Sequence, residues 1–333
     1  MIAVVGAGAM GTALAMVHER AGHATVLLGT AFDDKTIEAC RAGKPHPALG
    51  VPVPSGIDCR PYGAWAAALR NADRIVLGIS SDGLADVVAE VAPGASRHAT
   101  WLVATKGFDQ ETLRTPSEII GEHTEKTVIL AGPGLAPELV AAAPTALVCA
   151  ARDIDLARDV AVSLTGPGLA LEVTDDVSGA EICAAYKNVT AIAVGMCEGL
   201  TERLPESVFV HRHANARAAV FAQGLKDMNA LASMRGGRPE TIYGLAGAGD
   251  LYVTCLGGRN GNFGRLLGAG QTPDQARDTI GSTVEGVPNT TAALALASKL
   301  GIELYAARAV DAVLKKESTP DEAIDSLLRS VTA

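Results

Sequence analysis

The chain has 333 residues, a length that suits two domains better than one compact core. Hydrophobic residues make up 48% of it and charged residues 20%, which is typical of a folded globular protein and excludes a disordered chain. The formal net charge of −9 argues against a nucleic-acid-binding surface, because such surfaces carry clustered Lys and Arg.

The first residues predict a nucleotide-binding unit. The apolar run Ile2 to Val5 predicts a strand, Gly6, Gly8 and Gly11 form the pattern G-x-G-x-x-G, and the sequence TALAMVHERAG behind them predicts a helix. A second apolar run, Ala24 to Gly29, completes a βαβ unit. In that context the pattern binds the pyrophosphate of a dinucleotide, whose charge faces the helix N-terminus. We therefore expect a dinucleotide cofactor at this glycine loop.

The end of the second strand leaves the choice of cofactor open. Folds that are specific for NAD usually place Asp or Glu there to bind the ribose hydroxyls, whereas this chain reads GTA from Gly29. Asp33 and Asp34 come slightly late, and Lys35 is the nearest cation that could meet a 2′-phosphate. NAD and NADP both remain possible cofactors at this point.

Four further apolar runs follow, with helical stretches between them. They are RIVLGI (74–79), WLVAT (101–105), TVILAG (127–132) and TALVCA (145–150). Near-continuous apolar strands are typical of a parallel sheet covered on both faces, so we expect an α/β Rossmann-type, doubly wound parallel sheet. Ligands of such sheets bind at the carboxyl ends of the strands. Lys106 lies at one of these ends, where it either faces a ligand or is a solvated loop lysine.

The second half of the chain predicts an all-α domain, because long helical segments follow residue 178 without strand alternation. We expect domains at residues 1–177 and 178–333, divided at the polar run TDDVSG. The first helix, GAEICAAYKNVTAIAVGMCEG, lacks a polar face and is therefore predicted to be buried. Its Lys187 lies among small residues and is an acid/base candidate, unless it is a snorkelling or structurally paired lysine.

A second glycine-rich stretch, GLAGAGDLYVTCLGGRNGNFGRLLG, runs from Gly244 to Gly268. It follows helix-forming sequence and lacks a preceding strand, so a second dinucleotide loop is a poor interpretation. We expect instead a loop, rich in exposed backbone, that lines a cleft. Asp250 is available to pair with the buried lysine, and Arg259 with Asn260 is available to hold an anion.

Seven segments, in order and across most of the chain, resemble NAD(P)-dependent glycerol-3-phosphate dehydrogenases. They are GAGAMGTA, ATKG, AGPGLAPE, YKNVTAIA, GLAGAGDLYVTC, GGRNGNFG and TVEG. The resemblance implies a Rossmann domain followed by an all-α substrate domain. It also implies a homodimer that uses NAD or NADP in the reversible reduction of dihydroxyacetone phosphate to sn-glycerol 3-phosphate, which feeds glycerophospholipid synthesis.

The resemblance assigns roles residue by residue. Lys187 matches the general acid/base that exchanges a proton with the substrate's C2 oxygen, and Asp250 matches its supporting carboxylate. Lys106 and Asn188 match polar groups at the substrate, and the resemblance also places Lys106 among the catalytic residues. The other implied substrate residues are Gly132, Gly134, Thr254, Gly258, and, near the phosphate, Arg259 and Asn260. The implied cofactor residues are Gly6, Gly8, Ala9, Met10, Gly11, Thr30, Lys106, Ala136, Arg259 and Glu285.

The segment after the fifth predicted strand departs from the family pattern. The family usually has GPSFA or GPTFA there, but this chain reads Gly132-Pro133-Gly134-Leu135-Ala136, so a hydroxyl and an aromatic ring are missing. One lost hydrogen bond changes an affinity by about 0.5–1.5 kcal/mol. The departure therefore either retunes the substrate or is tolerated.

Three alternatives compete with this interpretation. A β-hydroxyacid dehydrogenase also uses a lysine on the first helix of its second domain, but it places Asn four residues later, where this chain has Ala191. A ketopantoate-reductase-type enzyme leaves GGRN and GDLYVTC unexplained. A silent nucleotide sensor would have no use for Lys187 and Asp250.

The sequence predicts neither a metal site nor a membrane segment. The six cysteines lie scattered without a C-x-x-C pair and are interpreted as reduced core residues, and His211-Arg212-His213 is interpreted as a surface loop. The N-terminus lacks a basic leader, and the longest uncharged apolar run elsewhere has 13 residues, too few to span a bilayer. We expect a cytoplasmic protein with a small phosphorylated substrate.

Overall fold

The computed structural model describes residues 1–203 and 213–330. His211 and Arg212 therefore lie outside the described residues. The chain forms two compact units, the first made of residues 1–109 and 114–177 and the second of residues 110–113 and 178 onwards. Within the described ranges, no helix has the length and apolar character needed to cross a membrane.

The first unit contains one eight-stranded sheet. Its strands are β1 (Ile2–Val5), β2 (Thr25–Leu28), β3 (Ile57–Arg60), β4 (Arg74–Leu77), β5 (Thr100–Val103), β6 (Thr127–Ala131), β7 (Thr145–Ala150) and β8 (Leu169–Thr174). The order is β3-β2-β1-β4-β5-β6-β7-β8, so the chain winds outward in both directions from β1. The predicted doubly wound α/β sheet is confirmed, with one correction: β6 and β7 pair antiparallel, whereas the other neighbours are parallel.

The two strands that the sequence did not predict, β3 and β8, are the two edges of the sheet. An edge strand has one neighbour instead of two and carries more polar side chains than a central strand. In β3 (IDCR) only Ile57 is buried, and β8 (LALEVT) has no buried residue, whereas β1 and β2 are buried throughout. Without a continuous apolar run, neither segment stands out from the loops around it.

Helices cover both faces of this sheet, and the apolar strand centres form the core of the first unit. The helices are α1 (Ala9–Arg20), α2 (Asp34–Arg41), α3 (Ala66–Arg70), α4 (Leu84–Val91), α5 (Pro116–Ile120), α6 (Ala136–Val140) and α7 (Ile154–Leu164). Val4, Val76, Leu102 and Val128, from four adjacent strands, are fully buried and belong to one apolar cluster. This core fixes the strand ends, and therefore the turns that follow them.

The second unit contains helices and no strand among its described residues. Its helices are α8 (Val177–Glu202), α9 (Ala214–Ser233), α10 (Pro239–Tyr243), α11 (Asp250–Cys255), α12 (Arg259–Gly268), α13 (Pro273–Ile280), α14 (Gly286–Leu300), α15 (Tyr305–Leu314) and α16 (Pro320–Ser330). Helix α8, which begins at the junction, is buried along nearly all of its length, as its apolar sequence predicted. The prediction of a loop at Gly244 to Gly268 is wrong. Most of this stretch is helical and consists of a π-helical turn (Leu245–Gly249), α11 and α12.

The glycines of this stretch allow two helices to pack backbone against backbone. A Cβ atom placed at Gly264 of α12 would lie 2.0 Å from the carbonyl oxygen of Ile192 in α8, and one at Gly268 would lie 2.1 Å from that of Met196. The contact is equally close from the side of α8, because a Cβ atom at Gly195 would lie 2.1 Å from the carbonyl oxygen of Gly261 in α12. No side chain fits at these positions, so here the glycines are packing residues and do not form a loop.

We expect Gly264→Ala to lower the free energy of unfolding by about 1–3 kcal/mol or more, because the new methyl group meets a helix backbone that cannot move aside alone. Urea denaturation, read as a shift of the midpoint, measures this loss. Gly261→Ala is the matched control on the same helix, since its Cβ atom would have no contact with another element closer than 3.5 Å. Equal midpoints for the two variants would contradict close packing of α8 and α12.

Candidate active site

The predicted glycine loop lies between β1 and α1 and has the backbone geometry that such loops require. Gly6 has φ +102°, which side chains other than hydrogen disfavour. A Cβ atom at Gly11 would lie 2.0 Å from the carbonyl oxygen of Gly6, so the loop closes tightly on its own helix. A Cβ atom at Gly8, the N-cap of α1, would meet nothing within 4 Å. The open side of the loop is therefore the helix N-terminus, where a pyrophosphate is stabilised.

Lys106 and Gly132 follow the adjacent strands β5 and β6 and are close together at the carboxyl edge of the sheet. The Lys106 ammonium donates to the carbonyl oxygen of Gly132, with an Nζ to O distance of 3.4 Å. Together with Met10 of α1 and Gly134, they line one small cavity of the first unit. Four of the residues that the resemblance implied thus share one place beside the glycine loop.

The structure gives a physical reason for the unusual Gly134. A Cβ atom at this position would lie 2.8 Å from Cδ2 of Leu147, a side chain of β7. Leu147 is buried, so it occupies the space that a Ser or Thr side chain at position 134 would need. The neighbouring Leu135 is 42% exposed. In this structure the end of the Leu147 side chain therefore fills the space beside Gly134.

In the second unit, Lys187 of α8 and Asp250 of α11 form a buried ion pair. The distance from Lys187 Nζ to Asp250 Oδ1 is 2.5 Å, and the two side chains are 8% and 1% exposed. A buried ammonium is costly without a partner, and the carboxylate supplies that partner. The structure thus places at one point the two charges that the sequence analysis chose independently of the resemblance.

The backbone before Asp250 is shaped to deliver that carboxylate. The residues Leu245–Gly249 form a π-helical turn, a local widening that is frequent at functional sites. Within it, a Cβ atom at Gly247 would lie 2.0 Å from the carbonyl oxygen of Ile242. One turn later, the Thr254 hydroxyl donates to the backbone carbonyl of Asp250 with an Oγ1 to O distance of 2.6 Å. Thr254 therefore supports the position of Asp250 from inside the same helix.

A chain of amide hydrogen bonds runs beside the ion pair. Asn260 Nδ2 donates to Asn188 Oδ1 at 2.9 Å, and the backbone N–H of Gly286 donates to Asn260 Oδ1 at 2.8 Å. Asn188 Nδ2 lies 3.5 Å from Glu285 Oε2, a longer contact. Asn188 and Asn260 are buried, so their orientations are fixed by these partners. The predicted residues of α8, α12 and the start of α14 are thereby joined in one network.

Arg259 occupies the first position of α12, directly after the N-cap Gly258. Its side chain is exposed and makes no hydrogen bond or ion pair within residues 1–203 and 213–330. The first N–H groups of a helix have no partner within the helix and therefore favour an anion. Helix α12 is long enough, at ten residues, for its dipole to add to this effect. A guanidinium and a helix N-terminus thus coincide next to the buried Asn260, and both groups favour an anion.

A second buried polar group anchors α8 directly next to Lys187, and the sequence analysis missed it. The Tyr186 hydroxyl donates to Asp227 Oδ2 of α9 at 2.7 Å, and the same oxygen accepts the backbone N–H of Ala306 at 2.8 Å. Burial raises the pKa of Tyr186 well above its usual value, so the hydroxyl stays a donor. The only signal in the sequence was Gln223, one helical turn before Asp227, whose amide donates to it.

Comparison with known proteins decides the family. The family model for the N-terminus of NAD-dependent glycerol-3-phosphate dehydrogenases matches residues 1–157. The family model for the C-terminus of the same enzymes matches residues 176–325. This chain belongs to the glycerol-3-phosphate dehydrogenase family. The predicted family, and with it the class of NAD(P)-dependent oxidoreductase, is confirmed.

Individual relatives agree with this assignment. The chain is 39% identical to a glycerol-3-phosphate dehydrogenase [NAD(P)+] of Thiobacillus denitrificans, covering 98% of this chain and 97% of that protein. A protein of the same name from Stenotrophomonas maltophilia is 37% identical, with 98% and 94% covered. The crystal structure of glycerol-3-phosphate dehydrogenase from Coxiella burnetii superimposes with a TM-score of 0.87 at 31% identity, and 98% of each chain is covered.

The competing dehydrogenase types share only the fold. A ketopantoate reductase structure from Ralstonia eutropha covers 97% of this chain and 99% of its own, but with a TM-score of 0.56 and 17% identity. A D-mandelate dehydrogenase structure gives 0.58 and 14%, with 98% of this chain and 99% of its own covered. At such identities, enzymes with different substrates share the two-domain plan, so the plan says nothing about the substrate. The alternative of a β-hydroxyacid or ketopantoate-type enzyme is not favoured.

Proposed function

We propose that the protein catalyses the reversible reduction of dihydroxyacetone phosphate to sn-glycerol 3-phosphate with NADH or NADPH, and so feeds glycerophospholipid synthesis. The observation that carries the proposal is the buried pair of Lys187 and Asp250, at 2.5 Å, in a chain that matches the family over both halves. We further propose that residues 1–177 hold the cofactor and residues 178–333 provide the proton transfer and the phosphate contacts.

Lys187 is proposed as the general acid of the reduction. When bound, a reduced nicotinamide would supply the hydride for the C2 carbon. Lys187 Nζ gives a proton to the C2 oxygen and is left as a neutral amine, which regains its proton from water. Asp250 holds the ammonium in place through its Oδ1. Thr254 acts on the position of Asp250, since it bonds the backbone of that residue. In the reverse direction the neutral amine accepts the proton of the alcohol.

The start of α12 is proposed as the phosphate site. Arg259 offers a planar fork of N–H donors, and the free N–H groups behind Gly258 add a second set. Asn260 keeps its amide oriented through Asn188 and Gly286. An exposed guanidinium beside a helix N-terminus suits the dianionic phosphate of the substrate better than it suits a neutral carbonyl compound.

The first unit carries most of the residues that we propose to contact the cofactor. The residues of the glycine loop and of the strand ends that we propose to contact the cofactor are Gly6, Gly8, Ala9, Met10, Gly11, Thr30, Lys106 and Ala136. Arg259 and Glu285 are proposed as cofactor contacts from the second unit, while Lys106, Gly132 and Gly134 are proposed to contact the substrate. These roles follow from the family resemblance, together with the closeness of Met10, Lys106, Gly132 and Gly134.

A homodimer in the cytoplasm is proposed as the working form of the protein. Both statements rest on the resemblance to the family and on the composition of the chain. Analytical ultracentrifugation of the purified protein tests the first, where a single species near twice the mass of one chain is expected. A monomer at all concentrations would contradict it.

A substrate panel tests the proposed reaction. We expect the purified protein to oxidise NADH or NADPH, followed by the loss of absorbance of the reduced nicotinamide, when dihydroxyacetone phosphate is added. Dihydroxyacetone, ketopantoate and small oxo acids, each without phosphate, are the controls. Turnover restricted to the phosphate-free acids would refute the proposal.

A further inference from the structure

Asp33 comes five residues after the end of β2, yet its carboxylate returns to the glycine loop. Its Oδ2 accepts the backbone N–H of Ala7 at 3.1 Å, the backbone N–H of Thr30 at 2.8 Å and the Thr30 hydroxyl at 2.7 Å. Through these bonds, the turn from Thr30 to Asp33 connects the end of β2 with the loop between β1 and α1. The end of β2 has no acidic residue in the sequence, but in the structure the Asp33 carboxylate lies beside it, bonded to Thr30.

The second oxygen of this carboxylate is available to a ligand. All three hydrogen bonds use Oδ2, and within the described part of the chain no hydrogen bond or ion pair uses Oδ1. The side chain is half-buried. A carboxylate at the end of the second strand of a Rossmann fold lies where the hydroxyls of the adenosine ribose bind, and it accepts hydrogen bonds from them. A 2′-phosphate at the same place would meet a like charge.

The cations nearby do not reverse this preference. Arg60 ends β3 and pairs with Leu28 of β2, but its guanidinium binds Asp58 of its own strand, with an Nε to Oδ2 distance of 2.8 Å. Lys35 follows two consecutive carboxylates, Asp33 and Asp34, so the local sum of charge stays negative. Arg60 is thus already paired with a carboxylate, and the exposed Lys35 directly follows two of them.

We propose that Asp33 makes the enzyme select NAD over NADP. Its Oδ1 accepts the 2′-hydroxyl of the adenosine ribose, and its charge repels the additional phosphate of NADP. The inference rests on the proposed cofactor site at the glycine loop, and it is independent of the identity of the reduced substrate. Asp33 is a specificity residue and takes no part in the chemical step.

The test is direct binding of NADH and NADPH to the purified protein in the absence of any substrate, followed by the fluorescence of the reduced nicotinamide. For the unmodified chain we expect the dissociation constant of NADPH to exceed that of NADH by about tenfold or more. NADPH loses the hydrogen bond from its 2′-hydroxyl to the charged carboxylate, and its phosphate is repelled by the same charge. In Asp33→Asn the amide keeps one acceptor for the turn and loses the charge, so this ratio should fall by about tenfold.

Asp34→Asn is the matched control. Asp34 is exposed at the start of α2 and makes no hydrogen bond to the glycine loop in the described structure, so the same change of charge one residue further on should leave the ratio within about twofold. Equal or tighter binding of NADPH by the unmodified chain overturns the proposal, even if Asp33→Asn fails to fold. A ratio that changes equally in the two variants also overturns it. Because no substrate is present, failure here leaves the proposed reaction untouched, and failure of the substrate panel leaves this result intact.

Discussion

Lys187→Ala is expected to lower kcat for dihydroxyacetone phosphate by a factor on the order of 10² to 10⁴ while NADH still binds. The physical reason is the loss of the general acid, since protonation of the C2 oxygen by a positioned group contributes about this much to a rate. The proposed cofactor loop lies in the other unit of the fold, so its own geometry does not depend on this side chain. Steady-state kinetics, with fluorescence titration of NADH as the second readout, measure the two effects separately.

The change also removes the Lys187 ammonium from the buried Asp250 carboxylate, so stability must be measured beside activity. Asp250→Asn together with Lys187→Ala removes both charges and should recover stability without recovering turnover. Lys226→Ala is the control for an exposed lysine of the same unit, and its kcat should stay unchanged. Normal turnover in the folded Lys187→Ala variant would remove the general acid role.

Arg259→Ala is expected to lower kcat/KM for dihydroxyacetone phosphate by about 10²-fold or more. Hydrogen bonds to charged groups contribute about 1.5–3 kcal/mol each, and two bonds of a planar fork correspond to this factor or more. Because Arg259 is exposed and has no side-chain partner among the described residues, its removal should leave the unfolding free energy nearly unchanged. The comparison of kcat/KM for phosphorylated and unphosphorylated carbonyl compounds isolates the contribution of the phosphate.

Arg265→Ala supplies the matched control on the same helix. Its guanidinium is engaged with Glu202 of α8 at 2.8 Å, away from the first turn of α12. We expect this variant to keep the preference for the phosphorylated substrate. Equal losses of kcat/KM for phosphorylated and unphosphorylated compounds in Arg259→Ala would argue against a phosphate contact and would assign the residue to the cofactor alone.

The sheet shows how far local patterns carry and where they stop. Six strands could be predicted because each is a continuous apolar run, buried on both faces. The edge strands β3 and β8 carry too few buried positions for that signal. The antiparallel pairing of β6 with β7 could not be predicted, since two buried strands have the same apolar pattern in either direction.

The glycine-rich stretch shows a different limit. Its composition was interpreted as a loop, because glycine lowers helix propensity by about 1 kcal/mol per residue relative to alanine. The structure makes it helical because Gly264 and Gly268 lie against the backbone of α8, and the close contact offsets the propensity. Propensity is a local quantity, whereas this gain exists only once the two helices are together.

The sequence by itself determined the glycine loop, the buried helix with its single lysine and the acidic and basic groups of the second half, because each is encoded in the spacing of neighbouring residues. Only the tertiary structure decided which of them meet. Asn188 and Asn260 bond across 72 residues of chain, and Lys187 and Asp250 across 63. Asp33 returns to Ala7 across 26 residues, through a turn that its own carboxylate stabilises. Such contacts depend on how the elements pack, and no periodicity along the chain records that packing.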